Sequence, residues 1–516
     1  MASANPQARI AMLERALNAA QRELSSTSHE LHWAQLTIQK KDAVIRLLEE
    51  RLRKQRIGLL GPPSETLSDL QLELLVEQEP SASREEVEAE SRREPLAEPR
   101  KRQPHPGRKP LPEALPRVEE VIPCKASCTG CGGETKLIGY DTSEVLDHEP
   151  AKWFVRVIKR EKRSCGKCSG VQMPEWAPRI VDKGLASDRV VVETVVAKYC
   201  DHLPLYRQEA ILEREAGVEI SRATLDGWIM RVGEQLQPVA GLMRTGLLRG
   251  SYLQADETMV PVQMHDHRGS DHQAYLWQYG SPGGETVFDF QLGRGRDGPA
   301  KFLKDWNGIL QTDGYQAYDK VGGPGLIHVG CWAHARRKFV DAVKVNPKDG
   351  AAIQMVTRMD AVFLVDRHAR QQRLNLEERA ALRRQHAEPW VEEIHAECLK
   401  LRANLLPKST LGEAVNYTLN MWAKLRRCFD HAEVELSNNV AENSMRPVAL
   451  GRKNWLHVGS AQAGRKVAAI LSVVESCRRL GVPVKDYLLA VLPGLADRKL
   501  SKLAHLTPAT WKSARA

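Results

Sequence analysis

The sequence predicts a multidomain α+β protein, and three observations carry that prediction. The first is a seven-residue repeat of aliphatic residues near the N-terminus. The second is a pair of CxxC motifs in strand-like surroundings. The third is a change of pattern after Gly250, from helical periodicity to strands that then alternate with helices. At 516 residues the chain has room for several domains. Its formal charge of +10 favours a polyanionic partner over an acidic substrate. No apolar run is long enough to span a bilayer, and MASANPQARIAMLERAL lacks the charged-then-apolar pattern of a secretory signal. Ten cysteines, four of them in CxxC pairs, suit a reducing compartment and a metal site better than disulfides. The expectation is a cytoplasmic protein without a membrane partner.

In residues 1–57, Ile10, Leu17, Leu24, Leu31, Ile38, Ile45 and Leu52 recur at every seventh position. An unbroken repeat of this kind predicts a coiled coil, and with it a homo-oligomer of at least two chains. The partner positions Leu13, Ala20, Thr27, Ala34, Lys41 and Leu48 are mixed, so they set register more than stability. The competing reading is one amphipathic helix packed on its own body. Residues 58–118 read as a charged, Pro-rich linker. Eleven acidic residues stand against three Arg in 64–98, and PRKRQPHPGRKP follows with five basic residues. Charge and Pro at this density oppose a packed core, and the basic end is either a solvated tether or a phosphate-backbone contact.

Residues 119–182 carry Cys128-x-x-Cys131 and Cys165-x-x-Cys168. Four thiolates supply a closed tetrahedral zinc site, which stabilises a small domain and leaves no open position for catalysis. The runs LIGYDTSEVLDHE and KWFVRVIKREKRS between them predict the hairpins of a zinc ribbon, and Cys124 is left out of the ligand set. Residues 183–247 read as a helix-turn-helix. YRQEAILEREAG stops at Gly217, Ser221 caps the next helix, and Leu225, Trp228, Ile229 and Val232 form one apolar face. Arg222 and Thr224 at its start are candidate DNA contacts; an ordinary helical pair is the plainer alternative.

In residues 248–343, YLQADETMVPVQM, AYLWQYG and ETVFDFQLG are candidate strands, and GPAKFLKDW is a helix leading into the strand GILQTDG. The helical YQAYDKV, the strand LIHVG and the helix AHARRKFVDAV follow. Asp256 and Asp313 each terminate an apolar run, where an ionised carboxylate is costly to bury without positive charge beside it. Residues 344–430 are rich in Leu, Ala, Arg and Glu and predict an inserted helical domain. In 431–480 Asn439, Glu442 and Arg446 share one face of a predicted helix. Several converging carboxylates suit a hard cation, and two magnesium ions would clamp an in-line displacement at phosphorus. Arg336, Arg337, Arg446, Arg452 and Lys453 are candidate DNA contacts, and Trp455 is a candidate platform for a splayed base. Cys331-x-x-His334 looks like half a zinc site, with Cys331 read as a buried thiol. His334 and Asn439 are candidate supporting residues. Residues 481–516 predict a helical tail.

The segments ADET, TDGYQAY, CWAHARRKF and NNVAEN…RPVALGRKNWLHVGS resemble the transposases of the insertion-sequence sixty-six group, from about residue 105 to the end. That resemblance implies a DDE-type recombinase with a ribonuclease-H-like α/β core, in which Asp256, Asp313 and Glu442 occupy the acidic positions. Three antiparallel strands followed by alternating helix and strand is the order such a core requires. Asp256 and Asp313 would then meet across neighbouring strands. The implied partners are double-stranded DNA, as element terminal repeats and target, and small accessory proteins of the same element. Asn443 and His457 stand where relatives more often carry Arg and Phe. A ribonuclease-H-like nuclease without strand transfer, and a non-enzymatic DNA-binding protein of the same fold, are the alternatives.

Overall fold

The computed structural model describes residues 177–182, 184–264 and 271–515, with 153–155, 163–164, 171–172 and scattered positions between 17 and 52. The chain divides into two compact units, Glu94–Pro174 and a larger one of Met1–Arg93 with Glu175–Ala516. In the smaller unit β1 (Arg163–Ser164) and β2 (Val171–Gln172) pair antiparallel and bracket the second CxxC. The four cysteines assigned to zinc, Cys128, Cys131, Cys165 and Cys168, lie outside the described residues, as does the linker. Of the heptad segment, Leu17, Ile45, Leu48 and Leu52 are helical and more than half exposed.

The larger unit begins with three helices, α1 (Asp188–Tyr199), α2 (Leu205–Ala216) and α3 (Arg222–Leu247). Gly217 ends α2 in the left-handed region at φ 62°, where a side chain would be strained. The Ser221 hydroxyl then accepts the Thr224 amide and starts α3. Leu225, Trp228, Ile229 and Val232 are all buried, as their spacing predicts, and the stripe continues through Leu236, Val239 and Met243. Two helices joined by a short turn are present, and the second is a long core helix.

Five strands follow in one sheet: β3 (Tyr252–Val262), β4 (His272–Gly280), β5 (Thr286–Gln291), β6 (Ile309–Gln311) and β7 (Ile327–Val329). Their spatial order is β5-β4-β3-β6-β7. The first three pair antiparallel, and β6 joins β3 and β7 in parallel. The parallel step from β5 to β6 is bridged by α4 (Asp297–Leu303). The segment predicted as the helix YQAYDKV forms only a 3-10 turn, Gln316–Tyr318. Tyr318 is fully buried at its end, and Gly322 at φ 77° turns the chain toward β7.

After β7 come α5 (Trp332–Val345), α6 (Gly350–Gln371), α7 (Leu376–Leu382), α8 (Glu388–Asn404), α9 (Thr410–Asn420) and α10 (Trp422–Asp430). A π-helical turn, Arg383–Ala387, joins α7 to α8. These helices share one core with the sheet, in which Trp332, Phe339, Met359, Val391, Leu425 and Phe429 cluster with Tyr252, Ile309 and Val329. Asp366, 1 % exposed, accepts hydrogen bonds from Arg379 and Arg383 inside it. The chain returns through α11 (Asn439–Trp455) and α12 (Ala461–Leu480), then α13 (Val484–Val491) and α14 (Pro508–Ser513). Edge strand β5 is covered by α12: the hydroxyls of Ser472 and Ser476 accept the amides of Phe288 and Thr286. An edge so capped offers no free row of amides to another chain. Among the described residues no helix is long and apolar enough to cross a membrane.

Candidate active site

The site is organised by α11 lying along β3, tied to it at both ends. At the start, Gln254 donates to the Ser437 carbonyl at 2.9 Å. At the finish, Val458 donates to Pro261 at 2.8 Å and accepts from Gln263 at 2.9 Å. Between these ties Arg452 reaches Thr258 Oγ1 at 3.2 Å and the Met259 carbonyl at 2.5 Å. Side chains alternate along a strand. Tyr252, Gln254 and Thr258 all meet the segment running into and along α11, so Asp256 faces α11 as well. Glu257 faces away. It is 2 % exposed and held by Arg294 at 2.7 Å and Tyr318 Oη at 2.9 Å.

Strand β6 brings the second carboxylate level with the first. Its register sets Gln254 opposite Gln311, so two residues further Asp256 and Asp313 stand at the same height. Asp313 Oδ1 accepts the Tyr315 amide at 2.9 Å, and its carbonyl accepts Tyr417 Oη at 2.7 Å. Gly314 follows at φ 97°, where a Cβ would lie 2.4 Å from the Met421 methyl. Turn and close approach both require glycine there.

Glu442 arrives in the first turn of α11, where the helix dipole favours negative charge. Arg337 Nη2 lies 3.3 Å from its Oε2, and His334 Nδ1 lies 3.6 Å from its Oε1. That Oε1 is buried without a hydrogen-bond partner. Burial pushes the Asp256 carboxyl up to about 8, and the charges of Glu257, Asp313 and Glu442 push it the same way. Burial also lowers the His334 pKa, which favours the neutral imidazole. The charges of Asp313 and Glu442 therefore reach Asp256 from two other segments, while the group of three ligand atoms within 4.8 Å of one another among the described residues is Cys331, His334 and Glu442. A buried oxygen without a partner, and a carboxyl raised by burial and by neighbouring acids, mark a site short of positive charge. Oxygen donors of this kind fit magnesium.

The remaining candidates divide by what they touch. Arg337 belongs to the acidic pocket. Arg336 turns the other way and grips Asp360 of α6 through two hydrogen bonds, at 2.5 and 3.1 Å. Arg452 is engaged by β3, as above. Arg446 and Lys453 are exposed on α11, as is Asn439 at its first position. Arg222 pairs with Glu209 at 3.1 Å but leaves 68 % of its side chain exposed, and Thr224 is exposed beside it. Trp455 is half-buried and lines a cavity with Lys198, Tyr199 and Lys466; none of the three carboxylates lines it.

Sequence reasoning passed over several residues here. Asn438, just before α11, is fully buried with neither amide atom hydrogen-bonded, whereas the exposed Asn439 was the one singled out. Cys331, read from the sequence as a buried thiol in half a zinc site, is within 4.8 Å of ligand atoms of both His334 and Glu442. Gln254 and Gln311 form a buried lattice beneath the acids. Their polarity inside the apolar runs YLQAD and GILQTD was the available signal, since a buried amide must be hydrogen-bonded.

The family described as "Transposase IS66 family" matches residues 183–466. The zinc-finger binding domain of transposase IS66 matches 125–169, which includes all four paired cysteines and excludes Cys124. A third match, transposase C of IS166 homeodomain, covers 47–119. The uncharacterized protein y4qI of Sinorhizobium fredii is 33% identical over 429 residues, spanning 80% of this chain and 78% of the relative. The uncharacterized proteins y4hP and y4jD of the same organism are 29% and 32% identical, over 91% and 78% of this chain and 89% and 82% of their own length. The chain belongs to the transposase IS66 family. Its zinc-finger domain indicates a structural zinc ion.

Proposed function

We propose that the chain cleaves DNA at the ends of an insertion sequence and transfers the freed ends to target DNA, with Asp256, Asp313 and Glu442 as its catalytic carboxylates. The observation that carries this reading is that Asp313 and Glu442, from two other segments, act on a buried Asp256, whose carboxyl burial pushes up to about 8 with the charges of Glu257, Asp313 and Glu442 adding to it. The fold reading is ribonuclease-H-like. It is supported by the order β5-β4-β3-β6-β7, with three antiparallel strands and then parallel ones.

The three carboxylates would hold magnesium, in the DDE manner as two ions, and bound magnesium supplies Lewis acidity that polarises the phosphodiester and activates water. With magnesium bound, Asp256 would be held ionised as one of its ligands. Arg337 neutralises one oxygen of Glu442 and fixes its direction. The exposed Arg446 and Lys453, on the same helix as Glu442, lie where they can meet backbone phosphates. Arg222 and Thr224 at the start of α3 would make a second, separate contact with the duplex. A dimer through the heptad segment would present two such sites to two DNA ends, within the cytoplasm and with accessory proteins of the element.

The test is cleavage and strand transfer on DNA carrying the element's ends, in magnesium, with Asp256→Asn as the variant. The reading requires that the variant bind DNA and leave it uncut; undiminished cleavage would be fatal to it. Pre-cleaved ends add a second arm, since cutting without joining assigns a nuclease instead.

A further inference from the structure

We propose that Cys331, His334 and Glu442 form a binding site for a thiophilic divalent cation, zinc foremost, distinct from the paired cysteines of the ribbon. One ligand atom of each lies within 4.8 Å of the other two. Cys331 caps α5 and His334 is its third residue, so one helical turn presents sulfur and imidazole together. The first turn of α11 delivers Glu442 from the other side.

Two further observations point to a ligand. His334 Nδ1 and Glu442 Oε1 are both buried, and neither has a hydrogen-bond partner. They face each other at 3.6 Å, beyond a good hydrogen bond. That is close to the ligand separation in a tetrahedral zinc site, about 3.3–3.6 Å from zinc bond lengths of about 2.0–2.3 Å. The second observation concerns the sulfur. Cys331 is fully buried beside that pair, and burial pushes its thiol up to about 11 against the smaller opposing pull of the Asn438, His334 and Ala333 amides. Metal binding there displaces the thiol proton, since the thiolate is the form in which cysteine binds metal. Arg337 occupies the other oxygen of Glu442 and leaves Oε1 for the ion. Three protein ligands leave a fourth position for water. Softness separates the two sites: the carboxylate trio suits magnesium, whereas sulfur and imidazole select zinc. Sharing Glu442 makes the two ions compete, a consequence that rests on the function proposed above; the site itself does not.

The test counts metal in the full-length chain, equilibrated with zinc chloride and dialysed, by mass spectrometry. Cobalt serves as an optical probe of sulfur ligation. The ribbon's cysteines are present in every sample, so their ion cancels. Wild type holds about one ion per chain more than Cys331→Ala, His334→Ala or Glu442→Gln. His334→Ala, on a partly exposed side chain, covers the case in which Cys331→Ala fails to fold. Equal metal content in wild type and the folded variants overturns the proposal. The count needs neither DNA nor cleavage, so a failure of the catalytic reading leaves this result intact.

Discussion

Gln254 and Gln311 share a hydrogen bond of 2.9 Å across the parallel strands β3 and β6, each two residues before a carboxylate of the site. Tyr252 Oη joins them, donating to Gln311 Oε1 at 2.5 Å, and Gln311 donates onward to the Glu435 and Gly330 carbonyls. One buried lattice thus ties the strand of Asp256, the strand of Asp313 and the segment leading to Glu442. Gln311→Leu strands the Glu435 carbonyl and leaves the Tyr252 hydroxyl without its acceptor, at a cost of about 2–4 kcal/mol. Denaturant titration should show that loss, and magnesium half-saturation should rise about tenfold as the acids lose register.

The Asp256 carboxyl makes the cation-free fold sensitive to pH. Its pKa is about 8 in the folded chain, against about 3.9 unfolded. Between those values the unfolded chain is ionised while the folded chain keeps its proton, so stability falls as pH rises from about 4 to about 8. Asp256→Asn removes that penalty. In chelator at pH 8 the variant should melt about 2 °C or more above wild type, since about 1 kcal/mol moves a domain of this size by that much. Cleavage should fall by about 10³-fold or more, equivalent to roughly 4 kcal/mol of barrier.

Magnesium binding should release the same proton. Affinity is expected to climb with pH up to about 8 and level off above it. Calorimetry at pH 7 in buffers of different ionisation heat should find about one proton released per chain. Asp256→Asn should release none.

Asp366 sits at 1 % exposure between Arg379 and Arg383, whose side chains are 10 % and 1 % exposed. Arg383 also donates to the Cys428 and Val434 carbonyls, and Arg379 reaches Glu435 at 3.2 Å. The insertion is thereby fastened to the segment that enters α11. Asp366→Asn leaves two guanidiniums buried against a neutral amide and should cost about 3–5 kcal/mol in denaturant unfolding.

Geometry also sorts the basic residues. Arg222→Ala should weaken DNA binding similarly for every sequence and lower the salt slope by about 1. Arg336→Ala should leave DNA affinity unchanged, because its guanidinium is spent on Asp360. Fluorescence anisotropy across a salt series separates the two.

Much of this fold was legible in the residues themselves. The apolar face of α3, the glycine stop at Gly217, the strand run after Gly250 and the all-helical insertion follow from periodicity and capping. So does the placement of Asn439, Glu442 and Arg446 on one helix. The 3-10 turn at Gln316–Tyr318 was not legible, because burial of Tyr318 overrides local helix propensity. Partner choice was equally hidden: Arg336 and Arg337 are adjacent in sequence, yet one faces Asp360 and the other Glu442. The nearness of Cys331 to Glu442 depends on how α11 docks along β3, which spacing alone does not encode.

The most direct test is anomalous scattering from crystals of the full chain bound to DNA and soaked in manganese, which substitutes for magnesium. The account predicts manganese peaks ligated by Asp256, Asp313 and Glu442 together. A saturated crystal with density elsewhere, or with any of those three carboxylates outside ligating distance, would contradict it.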